Sequence, residues 1–491
     1  MPPFDRRSLL KALAAAGLTG ALPLPVLAAS APRKARNILF IAVDDLRPQL
    51  GCYGNSQIKS PNIDALAASG FVFERAYCQQ AVCAPSRTSL LTGARPDSTQ
   101  VWDLETPLAS VRPDLVSLPK LLRQNGFETI SLGKIYHHPF KDDPDAWSLP
   151  PWLPAQDNKG KWVGGHYAST EAKRLWNEGV RGKESYQLWP TEAPEVPDNH
   201  LPDGLCADKA ISELQRLRSG KPFFLAVGFV KPHLPFVAPK KYWDLYRRED
   251  FNPSPQRDWP VGAPKEATPN WGELRGYLDM PKQGPVSDAE ARQLIHGYHA
   301  CVSYTDAQVG RVLAEVDRLG LREDTAVVLW GDHGWKLSDY GAWTKHTNFE
   351  IDTHALLILR APGYAGGERR KQLVEFVDIY PTLAELVGVA SPASVEGTSF
   401  VPLLGAPQRQ WKTASFSQYP RGKKIMGSSV RDERWRYTEW RQNGKVIARE
   451  LYDHATSNIS PRNLIDEPAL ADTVRELAAR LQAGWQAARP T

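Results

Sequence analysis

Four stretches of the chain are apolar without interruption, and each stops abruptly at charged or imidazole-bearing residues. Ile38 to Val43 has β-branched character and ends at Asp44-Asp45. Phe223 to Val230 ends in Lys231-Pro232-His233, and Ala326 to Trp330 ends in Gly331-Asp332-His333-Gly334. A shorter version, Thr129 to Leu132, ends in Gly133-Lys134-Ile135-Tyr136-His137-His138. A half-exposed strand alternates apolar and polar residues, so continuous runs predict strands buried on both faces. Between them lie helical patterns at Ile63 to Ser69, Ser117 to Asn125 with Ser117 as N-cap, Ala207 to Arg218 and Glu290 to Leu319. This alternation predicts an α/β fold, a large mostly parallel sheet flanked by helices.

From about residue 407 the pattern changes. Ser428 to Trp440 and Lys445 to Tyr452 read as two strands joined by Asn443-Gly444, a strong hairpin signal, and Pro468 to Ala488 reads as a terminal amphipathic helix. The expected plan is a catalytic domain over residues 36–406 and a C-terminal antiparallel-sheet-plus-helix subdomain over 407–491. Residues 1–31 stand apart. Arg6-Arg7 precede an Ala/Leu-rich stretch interrupted by Gly17, Gly20, Pro23 and Pro25, which reads as a twin-arginine-type export signal rather than a spanning helix. A periplasmic or secreted protein, with no stable membrane insertion after signal removal, follows from that reading.

Composition narrows the function classes. Sixty Lys+Arg against 55 Asp+Glu give a net charge of +5 over 491 residues, too weak to imply nucleic-acid binding. Hydrophobic residues at 42% and charged residues at 23% exclude a disordered or coiled-coil chain. Cys52, Cys78, Cys83, Cys206 and Cys301 are too few for a disulfide scaffold, and no Cys-x-x-Cys pair points to zinc.

In open α/β sheets, ligands bind outside the carboxyl ends of the strands. Here those ends carry Asp44, Asp45, Lys134, His233, Asp332 and His333. Singly, each has an ordinary structural reading: a loop cap, a solvated charge, a satisfied histidine. Jointly they point to a metal, because adjacent carboxylates repel unless a cation neutralises them, and hard oxygen ligands favour calcium or magnesium. Cys83 belongs to Cys83-Ala84-Pro85-Ser86-Arg87, where Ser86 to Leu91 reads as a helix ended by Gly93 and Pro96. A lone cysteine is most often a small buried hydrophobe. At a helix N-terminus, however, unpaired N–H groups and the helix dipole stabilise an oxyanion.

The pentapeptide resembles the signature of type I sulfatases, in which the cysteine is oxidised to formylglycine by a formylglycine-generating enzyme reading Cys-x-Pro-x-Arg. Asn37 to Asp45, Gly133 to His137, Lys231-Pro232-His233, Gly331 to Gly334 and Trp343-Thr344-Lys345 match the sulfatase pattern in order. Lys231 to Phe236, Val302 to Gly310, Asp332 to Trp335 and Ser417 to Arg421 further resemble the iduronate-2-sulfatase branch of this alkaline phosphatase superfamily. The resemblance spans roughly residues 36 to 485. It implies calcium ligands Asp44, Asp45, Asp332 and His333, with modified Cys83 completing the shell. It also implies that Arg87 holds the formylglycine, Lys134 and Lys345 grip sulfate, His137 rather than His138 deprotonates the formylglycine hydroxyl, and His233 protonates the leaving group. The implied reaction is sulfuric ester hydrolysis on sulfated uronic acid-containing saccharides. Phosphate or phosphonate ester hydrolysis in the same pocket is the alternative, followed by a non-catalytic saccharide-binding relative. Tyr340 and Val237-Ala238 depart from the animal iduronate-2-sulfatase pattern and are expected at the sugar. The Arg431 to Arg441 stretch is expected to be a solvated hairpin face. Lys240, Lys241, Arg247 and Arg248 read as a solvated face or as a patch steering an anionic saccharide.

Overall fold

The apolar runs form the centre of an eight-stranded sheet in the computed structural model, which describes residues 34–154, 167–180, 182–183, 187–269 and 272–490. The export-type stretch lies outside the described residues. The main strands are β1 (Asn37–Val43), β2 (Phe71–Tyr77), β3 (Glu128–Gly133), β4 (Phe223–Phe229), β5 (Thr325–Gly331), β6 (Leu357–Arg360) and β7 (Glu368–Glu375). Their spatial order is β7-β2-β6-β5-β1-β4-β3, and the short strand His354–Ala355 pairs with β2. Neighbours β3, β4, β1 and β5 are parallel, as are β2 and β7, while β6 runs antiparallel to β5 and β2.

Every residue of β1, β4 and β5 is buried. Successive side chains point to opposite faces, so Leu39, Ile41 and Val43 enter one core while Ile38, Phe40 and Ala42 enter the other. Register then fixes the site. Val43 lies opposite Phe229 and Gly331, and Gly133 lies opposite Gly228, so β1, β3, β4 and β5 end at one rim.

The flanking helices are α1 (Pro61–Ala68), α2 (Cys83–Thr92), α3 (Leu118–Gln124), α4 (Pro202–Leu217), α5 (Asp288–Arg318) and the C-terminal α6 (Ala471–Ala487). Ser117 caps α3 by accepting from the Lys120 N–H. Ser287 and Glu290 form a reciprocal capping box at the start of α5. Helix α4 begins five residues earlier than the apolar pattern predicts, because Pro202 suits a first helical turn whose N–H needs no partner.

The second sheet has the order β8 (Ser415–Arg421), β9 (Ile425–Arg431), β10 (Trp435–Gln442), β11 (Lys445–Asp453), all antiparallel. Asn443 and Gly444 both adopt positive φ, 50° and 78°, as the hairpin signal requires. The single run expected from Ser428 to Trp440 is two strands. Asp432 Oδ1 accepts from the Arg434 and Trp435 N–H groups and folds the chain back between them. Nor is Arg431 to Arg441 a solvated face. Arg431 and Arg436 are buried and share Glu350 of the larger sheet's periphery, which pulls that side of the hairpin inward. Residues 34–491 make one compact unit, of which this sheet is a lobe. No helix among the described residues is long and apolar enough to cross a membrane.

Candidate active site

Where β1 ends, Asp44 and Asp45 are fully buried, and Asp45 adopts φ 58°, a left-handed conformation that costs an aspartate free energy. The reversal turns its backbone N–H onto Asp332 Oδ1, 3.0 Å away beyond β5. Gly133 ends β3 with φ 68°, and a Cβ there would fall 2.1 Å from the Gly228 carbonyl oxygen, so only glycine lets Lys134 leave the sheet at this point.

Helix α2 starts at Cys83 and lies across this rim. Its Arg87 is the knot. Nε donates to Asp332 Oδ2 at 2.9 Å, one terminal nitrogen to Asp44 Oδ1 at 3.1 Å, and the other to the carbonyls of Lys134 and Ile135. One planar guanidinium thus ties the ends of β1, β3 and β5 to α2. Cys83 Sγ sits 3.5 Å from both Asp44 Oδ1 and His333 Nε2. His333 Nδ1 bonds the Gly334 carbonyl, so Nε2 faces the cluster, 3.5 Å from Asp45 Oδ1 and 3.6 Å from Asp332 Oδ1.

These separations are short enough for the side chains to share one ion. Asp44, Cys83 and Asp332 form one group and Asp45, Cys83 and His333 another, each with ligand atoms within 4.8 Å of one another. It is this convergence rather than net charge that fits an ion, since Asp44, Asp45, Asp332 and Glu273 are matched in number by Arg87, Lys134, Lys345 and His233. Three carboxylates and one imidazole fit a hard cation such as calcium.

Substrate-side groups surround this floor. Lys134 pairs with Asp44, and Lys345 Nζ lies 3.1 Å from both Asp45 oxygens and 3.0 Å from Glu273 Oε2. Burial opposes the charge of both lysines, but the adjoining carboxylates win and raise them above the ordinary lysine range. Burial pushes the Asp44 carboxyl up, yet Lys134 and Arg87 hold it well below the ordinary value. His233 Nδ1 bonds the Leu234 carbonyl at 2.6 Å, and Nε2 lies 3.1 Å from Glu273 Oε1. Both partners can only accept, so both ring nitrogens carry hydrogen. Burial disfavours that imidazolium, but Asp45 and Glu273 outweigh burial and raise its pKa. His137 differs: burial, then the Lys134 charge, lowers it to about 2, a neutral imidazole. His138 is tied away, its Nε2 on the Leu104 carbonyl at 2.8 Å. The Lys134 and His233 side chains keep 19% and 15% of their surface exposed, whereas those of Asp44, Asp45, Asp332 and His333 keep at most 1%, so the open side of the pocket is theirs.

A family model described as Sulfatase matches residues 36–389, and one described as N-sulphoglucosamine sulphohydrolase, C-terminal, matches residues 338–487. The chain belongs to the sulfatase family. It is 34% identical to iduronate 2-sulfatase of Homo sapiens over 487 residues, 84% of this chain and 86% of the relative. Phosphonate monoester hydrolase of Agrobacterium radiobacter superposes with a TM-score of 0.74 at 20% identity, covering 92% of this chain and 95% of that one. A 2-O GAG sulfatase superposes with a TM-score of 0.64 at 22% identity, covering 93% of each chain. This type I sulfatase of the alkaline phosphatase superfamily is therefore an enzyme of sulfuric ester hydrolysis, with relatives of the iduronate-2-sulfatase type.

All ten of the site positions expected from sequence lie at this rim or beside it. The positions expected at the sugar are buried. Tyr340 is 3% exposed, stacks on Trp259 with ring centroids 5.5 Å apart, and its hydroxyl bonds Ser460 in the C-terminal lobe. Val237 and Ala238 are buried in the core. The cationic patch near residue 240 is largely neutralised locally, Lys240 by Asp244, Lys241 by Asp198 and Arg247 by Glu249, which favours the solvated-face reading. Glu273 has no counterpart in the sequence reading, because it opens a short 3-10 turn, Glu273–Gly276, that ends no apolar run.

Proposed function

We propose that this sulfatase removes sulfate from sulfated uronic acid-containing saccharides, using calcium held by Asp44, Asp45, Asp332, His333 and residue 83, and formylglycine made from Cys83. The observation that carries this reading is the seat of Cys83 as the first residue of α2, with Sγ 3.5 Å from both a carboxylate oxygen and His333 Nε2 at the floor of the pocket that holds Lys134, Lys345 and His233. Bound calcium would supply Lewis-acid stabilisation of charge on sulfate oxygens. Formylglycine hydrate would supply a geminal diol, a nucleophile that can release sulfate by collapsing to the aldehyde.

The chain's own residues do the rest. Arg87 locks Asp44 and Asp332 in place before substrate arrives, so no reorganisation is needed at the moment of reaction. Lys134 and Lys345 offer ammonium donors to nonbridging sulfate oxygens. His233, already carrying hydrogen on both nitrogens, protonates the departing sugar oxygen at Nε2, and neutral His137 accepts a proton beside residue 83. Similarity to the human iduronate 2-sulfatase over most of both chains supports a 2-O-sulfated uronate as substrate. The partners of this reading are that saccharide and a formylglycine-generating enzyme, with export through the residues 1–31 to the periplasm or beyond.

A panel of 2-O-sulfated uronate mono- and disaccharides, aryl sulfates, phosphate monoesters and phosphonate monoesters tests the reading. The non-reducing-end 2-O-sulfated uronate is expected to give the highest kcat/KM. A phosphonate or phosphate ester turned over faster than every sulfate would overturn it.

A further inference from the structure

Glu273 is not among the calcium ligands proposed above and ends no strand, although with Asp45 and His233 it forms a third group whose ligand atoms lie within 4.8 Å of one another; its two oxygens meet two substrate-side groups. Oε1 is 3.1 Å from His233 Nε2 and Oε2 is 3.0 Å from Lys345 Nζ, and the side chain is 1% exposed. Each partner is held on its other side as well. Lys345 bonds both oxygens of Asp45 and lies over the Trp335 ring at 4.7 Å, and His233 Nδ1 bonds the Leu234 carbonyl. Asp45 also approaches His233, but at 3.8 Å, beyond a hydrogen bond, and it belongs to the cation set. A buried carboxylate beside an anion-binding pocket is costly, first through desolvation and then through repulsion of the incoming sulfate. Two charge-assisted hydrogen bonds offset that cost here.

We propose that Glu273 is a positioning residue, fixing the spacing between the Lys345 ammonium and the His233 imidazole before substrate arrives, so that sulfate oxygens then meet the ammonium while the sugar oxygen takes over from Glu273 Oε1 the single Nε2–H that it will receive. This rests on the function proposed above. Its consequence is that the sulfate grip and the proton donor are set by one side chain, and losing it disturbs both.

Glu273→Gln keeps the size but turns an N–H₂ group toward one of two donors, so at most one of the bonds survives. Glu273→Asp shortens the reach by one methylene and cannot span both. Each variant, loaded with calcium and with residue 83 verified by peptide mass spectrometry, is compared with the native protein in three ways: inorganic sulfate binding by calorimetry, kcat and KM on a sugar sulfate and on an activated aryl sulfate, and melting temperature. Glu273→Gln is expected to melt close to the native protein and to bind sulfate roughly tenfold more weakly, the loss of one charged hydrogen bond. Its kcat should fall about 10²-fold on the sugar sulfate, which needs the general acid, and about tenfold on the aryl sulfate, which does not. Native sulfate affinity together with an unchanged ratio of the two rates would overturn the proposal. If Glu273→Gln does not fold, Glu273→Asp is judged by the same two readings. Failure of the proposed function looks different: the native protein turns over no sulfate ester with residue 83 converted, and calorimetry with sulfate still decides for or against Glu273.

Discussion

Burial first and the Asp44 charge second push the Cys83 thiol well above the ordinary cysteine range, so as cysteine it stays protonated and is a poor nucleophile. Protein made together with a maturation enzyme is expected to show residue 83 lighter by the thiol-to-aldehyde difference in peptide mass spectrometry. Cys83→Ser, which keeps a hydroxyl but cannot form the aldehyde, should lose more than about 10³-fold in kcat, in the range seen when a nucleophile is removed. A fully active Cys83→Ser enzyme would falsify the formylglycine mechanism. Residues of this kind were legible because a buried apolar run that stops at a charge is rare unless something neutralises the charge: Asp44, Lys134 and Asp332 announce themselves. Glu273 does not, since only the folded loop brings it to His233 and Lys345. Tyr340 misled for the opposite reason. A departure from a family pattern beside a catalytic segment looks like a substrate contact, but the positive φ at Tyr340 turns its ring into an aromatic stack with Trp259 and Phe349.

Among the elements, the long α5 was recognisable from its period, but what it does for α1 was not. Asp306 on α5 accepts from the Asn62 and Ile63 N–H groups at the start of α1 and from the Asn62 amide, holding the two helices together. Burial raises its pKa to about 6 despite those three donors. Because the folded value lies above the ordinary aspartate value, this group's contribution to stability is full at low pH and is lost as pH rises through about 6. The melting-temperature advantage of the native protein over Asp306→Asn should therefore shrink between pH 5 and pH 7.5. An advantage that stays constant or widens would show that Asp306 ionises as easily folded as unfolded. Elements that sequence patterns missed share a feature: β7 reads Glu-Arg-Arg-Lys-Gln-Leu-Val-Glu and sits at the sheet edge with its first half exposed, so it carries little hydrophobic signal. Its buried Arg370 is accommodated by the Leu403 and Leu404 carbonyls and by stacking on Phe71 at 4.6 Å, contacts that exist only after folding. The Asn443-Gly444 hairpin, in contrast, is local chemistry and needed no tertiary context.

For the whole molecule, the proposed cation would link activity to stability. Its proposed ligands come from the ends of β1 and β5 and the start of α2, and the same rim is crossed by Arg87 toward β3, so ion and guanidinium hold one set of elements together. Without the ion, the carboxylates of Asp44, Asp45 and Asp332 crowd one another in a dry pocket, and that repulsion opposes folding. Binding to the folded state alone stabilises by RT ln(1 + [L]/Kd), about 4 kcal/mol when calcium exceeds its Kd a thousandfold. Exhaustive chelation is therefore expected to abolish turnover and lower the melting temperature by several degrees together, with calcium restoring both over the same concentration range. Asp45→Asn should weaken calcium's effect on melting, since it removes a charged ligand while keeping the side chain's size. Turnover that survives chelation with an unchanged melting curve would show that Asp44, Asp45, Asp332 and His333 balance the lysines and arginine on their own and hold no ion.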